Sequence, residues 1–465
     1  MDRHLIKPVS LPRVTVARAL LVLLLCLMMT VRPAAAQQLL RDAETEALFR
    51  DIGRPLALSA GLQPGNLKIV LLQDPTINAF VAGGQTVYLQ SGLITHADNV
   101  NQVQGVIAHE LGHIIGGHVI NFSQGMKAAT GITLLSLLLG AAAIAAGAGE
   151  AGMGILTAGQ QAAMGKFLAF SRTQEASADA ASVRLLDGAH LSGRGSLAFF
   201  GKLRREEYRL SPSYTDVDPY ALTHPTSADR QAVLEADFKK SQWWDAETDP
   251  KLEARFQRVK AKLMGFADDP KVTFATYPES DQSIPAHYAR AYARHRSGHS
   301  DKALAEADAL LAAAPHDPYF LELKGQILLE SGQPAAAVPI LREATERTRR
   351  EPLIASLFGH ALLATEDRAH LPEAREVLRT AVARDDQNPF AWYQLGVIYS
   401  QEGDTARAAL ASAERNSLEG RDGLALGNAE VAMRGLPEGT PDWIRAQDIA
   451  MVSRTALENA KRKRR

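Results

Sequence analysis

Apolar positions along the chain keep several distinct rhythms. From Leu39 to about Ala60 they recur at helical spacing, through Leu40, Ala43, Ala47 and Ile52, and predict an amphipathic helix. Leu67 to Leu72 is a short apolar run that predicts a strand. Asn78 to Gln90 reads as extended, with Gly83-Gly84 as a bend or bulge. Val100, Val103, Val106, Ile107, Leu111, Ile114 and Ile115 then repeat at three and four, a second helix that Asp98 or Asn99 can cap. A further apolar helix opens near Ser171 and runs to about Leu186, followed by helices over Ser192 to Tyr208 and Thr226 to Lys239. Gln242 to about Pro285 carries many charges and prolines, which suits a domain junction.

Beyond that junction a period appears. Gly298 recurs as Gly332, Ala303 as Ala337 and Pro318 as Pro352, each 34 residues on, the tetratricopeptide period. Trp392-x-x-Leu395-Gly396-x-x-Tyr399 with Gly403 and Ala408 fits the same repeat, and the unit before it, with Glu373-Ala374, carries about three extra residues. The pattern predicts four helix pairs and a degenerate fifth near Leu424 to Arg434. Small residues such as Gly396 and Ala408 let paired helices approach, and stacked pairs make a solenoid with a concave binding face.

Two apolar stretches raise the question of a membrane. Arg3, Lys7, Arg13 and Arg18 precede an apolar core from Ala19 to Thr30, and Ala34-Ala35-Ala36 offers a cleavage site, so residues 1–36 read as a secretory signal peptide with Gln37 first in the mature chain. Ala128 to Gly149 has 22 residues without charge, long enough to span. A single crossing there would put the histidines described next on one side and their carboxylate partner on the other. Glu150, Gln160, Gln161 and Lys166 interrupt any second crossing. The segment is therefore either a helical or loop element near the active-site mouth that can touch membrane or client, or a buried core hairpin.

Composition narrows the chemistry. The 51 Lys+Arg and 52 Asp+Glu nearly balance, so no basic field points to nucleic acid. Loss of the signal peptide removes 5 basic and 1 acidic side chains and leaves a net charge of about −5. The single cysteine, Cys26, lies in the signal core behind Leu25, where a lipoprotein signal wants a small residue. The mature chain thus has neither disulfide nor thiolate metal site. The terminal Lys461-Arg462-Lys463-Arg464-Arg465 reads as a solvated tail.

Within the second helix stands His109-Glu110-Leu111-Gly112-His113. Four residues apart on a helix, His109 and His113 share one face and can reach one metal ion. Glu110, beside the first ligand, can take a proton from a water that zinc has acidified. Apolar, glycine-rich flanks bury these polar groups, and buried polar groups need partners. Glu175 and Asp179, again four apart, open the later apolar helix. Glu175 suits a third metal ligand, and Asp179 suits a hydrogen bond to the distal nitrogen of a ligating histidine, which fixes its tautomer. Two histidines and one glutamate leave a fourth position open, as a hydrolytic zinc site requires. His224 precedes Pro225, which disfavours helix at that residue and leaves it on a loop.

His-Glu-Leu-Gly-His followed by Ser171-Arg172-x-x-Glu175-x-x-x-Asp179 resembles the HtpX and CAAX-prenyl-protease class of zinc metallopeptidases, over roughly Leu39 to Lys240. Asn78-Ala79-Phe80…Gly83-Gly84, Ser91-Gly92-Leu93-Ile94 and His224-Pro225-Thr226-Ser227…Arg230 resemble further motifs of that class. With the repeats, the chain resembles those periplasmic members that join such a peptidase to tetratricopeptide repeats and assist β-barrel assembly. The resemblance implies zinc held by His109, His113 and Glu175, with Glu110 as catalytic base. It also implies an edge strand near the zinc helix, onto which an extended substrate can add, although the residues alone equally fit a plain hairpin.

The expected architecture is mainly α. Residues 1–36 are the signal peptide, 37–265 an α+β zincin-type metallopeptidase domain with a small sheet, 266–284 a linker, and 285–465 an α-solenoid of tetratricopeptide repeats. The expected function is a periplasmic zinc endopeptidase, with chaperone activity, in quality control of outer-membrane β-barrel proteins. By resemblance its partners are unfolded or stalled outer-membrane proteins and the machinery that inserts them, reached through the repeats, with peripheral membrane contact besides. The alternative is a chaperone-like scaffold with a silenced or structural zinc site. His224 could plug the fourth metal position or could stabilise the oxyanion.

Overall fold

In the computed structural model, residues 38–118, 130–141, 149–210 and 228–463 are described. The signal peptide, Cys26, residues 142–148 of the uncharged stretch, and His224 lie outside them. The chain divides into the units Met1–Gln38 and Leu39–Arg465.

Leu39 and Leu40 belong to a strand, β1 (Gln38–Leu40), and the expected first helix begins only at Ala43, as α1 (Ala43–Ser59). Asp42 sets that boundary. Its backbone is extended, and its carboxylate accepts the Thr45 N–H at 2.8 Å, an N-cap that fixes where helix can start. Three strands follow: β2 (Lys68–Gln73), β3 (Ala79–Ala82) and β4 (Thr86–Gln90). The sheet order is β1-β2-β4-β3, with β2 parallel to β4 and β3 antiparallel to it. Gly83 and Gly84, at φ +63° and +93°, turn the chain between β3 and β4, a left-handed conformation that glycine adopts without strain. β3 is an edge strand among the described strands, and the helix that carries His109 and His113 packs against it.

After a short α2 (Ser91–His96) that helix is α3 (Val100–Ile115). Of the two candidate caps it is Asn99 that serves, accepting the Gln102 N–H at 3.1 Å. The second ligand helix is longer than its apolar pattern suggested. α4 runs 40 residues, Gly149–Gly188, because the stretch before Ser171 continues the same helix. Residues 130–141 are also helical, and Gly159 of α4 leaves room for Ser136. Leu134, Leu135 and Leu137 to Leu139 are all more than half exposed there. That is not the dress of a buried core hairpin. Among the described residues no helix is long and apolar enough to cross a membrane.

α5 (Arg194–Leu210) and α6 (Ala228–Phe238) complete the N-terminal half. Leu48 and Ile52 of α1, Val87 and Leu89 of β4, Val103, Ile107 and Leu111 of α3 and Phe199 of α5 share one core. The junction region is itself helical, as α7 (Pro250–Ala267) and α8 (Pro270–Thr276), and α7 lies against the first repeat helix. Phe256 of α7 joins the peptidase core.

Five helix pairs then form the solenoid: α9 (Ile284–Arg296) with α10 (Ser300–Ala313), α11 (Pro318–Glu330) with α12 (Pro334–Arg347), α13 (Pro352–Ala364) with α14 (Leu371–Arg384), α15 (Pro389–Gln401) with α16 (Thr405–Leu418), and α17 (Asp422–Gly435) with α18 (Pro441–Lys463). The three extra residues of the third unit are a 3₁₀ turn, Arg368–His370. Trp392 packs inside the fourth pair, its indole N–H donating to the Asp386 carbonyl at 2.9 Å. Gly325 and Gly359 sit where a Cβ would strike Leu341 and Leu378 at 2.5 Å. At Gly396, the cognate position, a Cβ would stand 3.5 Å from Ala411 and 3.7 Å from the Ala408 carbonyl, ordinary van der Waals contact with the paired helix.

Candidate metal centre

α3 is buried all round from Val100 to His113, so His109, Glu110 and His113 lie in the interior. α4 crosses α3 at Gly112. A Cβ at Gly112 would lie 2.7 Å from the Ala178 carbonyl oxygen and 2.9 Å from Ala178 Cα, so the two backbones touch there. Ala178 is flanked by Glu175 and Asp179, and the contact delivers both carboxylates to the two histidines.

His109 Nε2 lies 3.2 Å from His113 Nε2. Glu175 faces both, with Oε2 at 3.3 Å from His109 Nε2 and Oε1 at 3.3 Å from His113 Nε2. His109, His113 and Glu175 form a group whose ligating atoms lie within 4.8 Å of one another, all buried. Zinc bonds of about 2.0–2.2 Å at tetrahedral angles set ligand atoms roughly 3.3 Å apart, so the three corners fit such an ion. Glu110, with no exposed surface, is close enough to favour charge on His113.

Outer contacts hold the ligands. Asp179 Oδ1 lies 3.1 Å from His109 Nδ1, the role expected from its spacing. Arg230, from α6, clamps that carboxylate with Nε at 2.8 Å from Oδ2 and Nη2 at 2.9 Å from Oδ1, while Nη2 also lies 3.1 Å from Glu175 Oε2. Burial works against charge on Asp179, yet the hydrogen bonds from His109 and Arg230 hold it below the usual carboxylate range. Burial likewise opposes the imidazolium form of His109, but Asp179 and Glu175 outweigh it and push His109 up to about 10. Burial, reinforced by the charge on His109, moves His113 down.

Two contributors were not given these roles by the sequence. Arg230 appeared only as part of a downstream motif, with nothing in its spacing to announce a clamp. His118, just beyond α3, is buried with its Nδ1 2.9 Å from His113 Nδ1. Its signal was its place five residues after His113 behind a Gly-Gly pair.

A family model described as Peptidase family M48 matches residues 42–237. The chain is similar to the β-barrel assembly-enhancing protease of Yersinia pestis, 23% identical over 398 residues that cover 84% of this chain and 80% of the relative. It is similar to the metalloprotease LoiP of Escherichia coli K12, 35% identical over 193 residues, 41% of this chain and 69% of LoiP. Among solved structures, the tetratricopeptide-repeat protein YrrB covers 39% of this chain at 21% identity with a TM-score of 0.31.

Proposed function

The chain belongs to peptidase family M48 and is a zinc metalloendopeptidase, and from that premise we propose that His109, His113 and Glu175 bind its zinc and that Glu110 is its general base. The observation that carries this reading is a buried cluster in which the two imidazole Nε2 atoms lie 3.2 Å apart and each lies 3.3 Å from one oxygen of the Glu175 carboxylate.

Zinc held there supplies a Lewis acid that polarises a peptide carbonyl and lowers the pKa of the attacking water. Glu110 takes the proton of that water and returns it to the leaving amine. Asp179 accepts the His109 Nδ1–H and so keeps His109 Nε2 bare toward the metal, while Arg230 fixes Asp179. Among the described strands β3 stands at an edge of the sheet, where an extended client can add as a further strand. If His224 plugs the fourth metal position, His224→Ala raises basal hydrolysis of unfolded casein; a fall of about a hundredfold would instead assign it to the oxyanion.

The site of action is the periplasm, reached through the signal peptide read in residues 1–36, with outer-membrane β-barrel proteins and their insertion machinery as clients and partners. The name of the Yersinia relative and the five repeat pairs support that part of the reading. The exposed leucines of residues 130–141 suit peripheral membrane contact. Glu110→Gln should abolish proteolysis and leave zinc stoichiometry at one. If the Glu110→Gln protein fully restores a deletion strain, the chain serves as a scaffold and the protease reading fails.

A further inference from the structure

Each ligating imidazole has a second nitrogen whose partner decides which way the ring faces. For His109 that partner is Asp179. For His113 it is a residue outside the helix. His118 Nδ1 lies 2.9 Å from His113 Nδ1, with ring centroids 4.9 Å apart and planes at 79°. We propose that His118 is a positioning residue for the zinc site, accepting the Nδ1–H of His113 and holding His113 Nε2 toward His109 and Glu175.

Only one proton fits between two nitrogens at that distance. His113 Nε2 must be bare to bind metal, so the proton sits on His113 Nδ1, and His118 must accept through a bare Nδ1 with its own proton on Nε2. The pairing thus specifies the tautomer of both rings.

The backbone is arranged for this contact. Had α3 continued, a residue five positions beyond His113 would lie about 140° around the helix from it. Instead α3 stops at Ile115, Gly116 caps it, and Gly117 turns left-handed at φ +63°. The His118 ring then folds back over Gly116, where a Cβ would stand 2.4 Å from its Nε2. Both glycines are therefore explained by the need to return one imidazole to the site.

A neutral partner also suits the charge already there. Glu110, Glu175 and Asp179 converge on this site, and a further carboxylate behind His113 would add a fourth negative group to buried surroundings. An imidazole supplies the acceptor without the charge.

The inference rests on His113 being a zinc ligand, and the test separates the two. Apparent zinc affinity is measured by chelator competition on the full chain, alongside the visible absorption of the cobalt-substituted protein and the thermal midpoint of the metal-free form. His118→Phe keeps a ring and removes the acceptor, and should weaken zinc binding by about tenfold to a hundredfold, the range for outer partners of ligating histidines. His118→Asn places a carbonyl oxygen near the position of Nδ1 and should recover most of that loss. Gly116→Ala displaces the ring without touching its chemistry and should behave like His118→Phe. Cobalt spectra of the two impaired proteins should change while the metal-free midpoints stay together. Wild-type affinity in His118→Phe overturns the proposal, as does equal impairment of His118→Asn. Stoichiometric zinc in His113→Ala would instead remove the ligand assignment beneath it.

Discussion

Asp179 and Arg230 show how much of this site depends on groups that do not face the metal. Asp179 is held by a two-pronged guanidinium whose second prong also reaches Glu175, so one side chain orients a ligand and a ligand's partner together. Asp179→Ala should lower zinc affinity by about tenfold to a hundredfold in a chelator titration. Arg230→Lys should fall on the same side, because an ammonium cannot span two carboxylates with a fork. An unchanged affinity in both would confine these residues to packing. The helical spacing of four made His109, His113, Glu175 and Asp179 legible in the sequence, since that interval has a fixed geometry. Arg230 comes from another helix, 51 residues after Asp179, and His118 comes round a turn, and spacing has no rule for either. A half-buried acid outside the metal centre should add a pH dependence of its own. Glu322 of α11 has a buried Oε2 without a hydrogen-bond partner among the described residues, and burial, partly offset by Lys262, pushes its carboxyl up to about 8. A raised carboxyl favours folding below its unfolded pKa of about 4.3 and loses that contribution as pH rises toward 8. Glu322→Gln should therefore gain stability over wild type at pH 8 and show little gain at pH 4.5, read by thermal midpoints; a gain equal at both pH values would refute the assignment.

Where two helices touch, single glycines decide the outcome. Gly112 immediately precedes the metal histidine His113 in sequence, yet its structural reason is Ala178 on α4. Gly112→Ala must separate the helix that carries His109 and His113 from the one that carries Glu175. The expected cost is about 1–3 kcal/mol for overpacking, with zinc lost as well, since the triangle of ligands cannot survive a shift between its two sources. The repeats make the same argument in a controlled form. Gly359→Ala meets Leu378 and should destabilise by about 1–3 kcal/mol. Gly396→Ala finds ordinary van der Waals room and should stabilise by up to about 1 kcal/mol, the helix propensity difference. Urea titrations of the two variants would test this, and an equal loss from both would show that repeat position, and not clearance, sets the cost. Elements were read well where periodicity persisted, as in α3 and the repeats. They were misjudged where a cap overrode it, at Asp42, and where helix continued through residues with weak pattern, from Gly149 to Phe170.

At the scale of the molecule, the start of the peptidase half and the start of the repeats are joined through buried charge. Glu44, in the first turn of α1, accepts the Tyr288 hydroxyl of α9 at 2.7 Å and faces Arg258 of α7 at 2.6 Å. Arg258 also binds Asp317, the cap of α11, at 2.8 Å and lies over the Phe320 ring, while Lys262 pairs with Asp42. Lys262 holds Asp42 low against burial, whereas burial pushes Glu44 up in spite of both cations. Nothing local in the sequence marks a charge whose partner lies hundreds of residues away, as Glu44 and Tyr288 do, 244 residues apart. Their burial changes what a truncation should do. A fragment beginning near Ile284 keeps five helix pairs but strips the cover from Tyr288, Asp317 and Phe320. It should melt at a lower temperature than the repeats do in the whole chain. Glu44→Ala is the sharper test, because it leaves Arg258 and Lys262 buried beside a missing partner. Removing one member of a buried pair costs about 3–5 kcal/mol, far more than a surface pair contributes. Calorimetry should show the peptidase and repeat halves of Glu44→Ala melting apart and those of the wild type melting as one unit. A single transition at the wild-type temperature would mean that the two halves are coupled elsewhere.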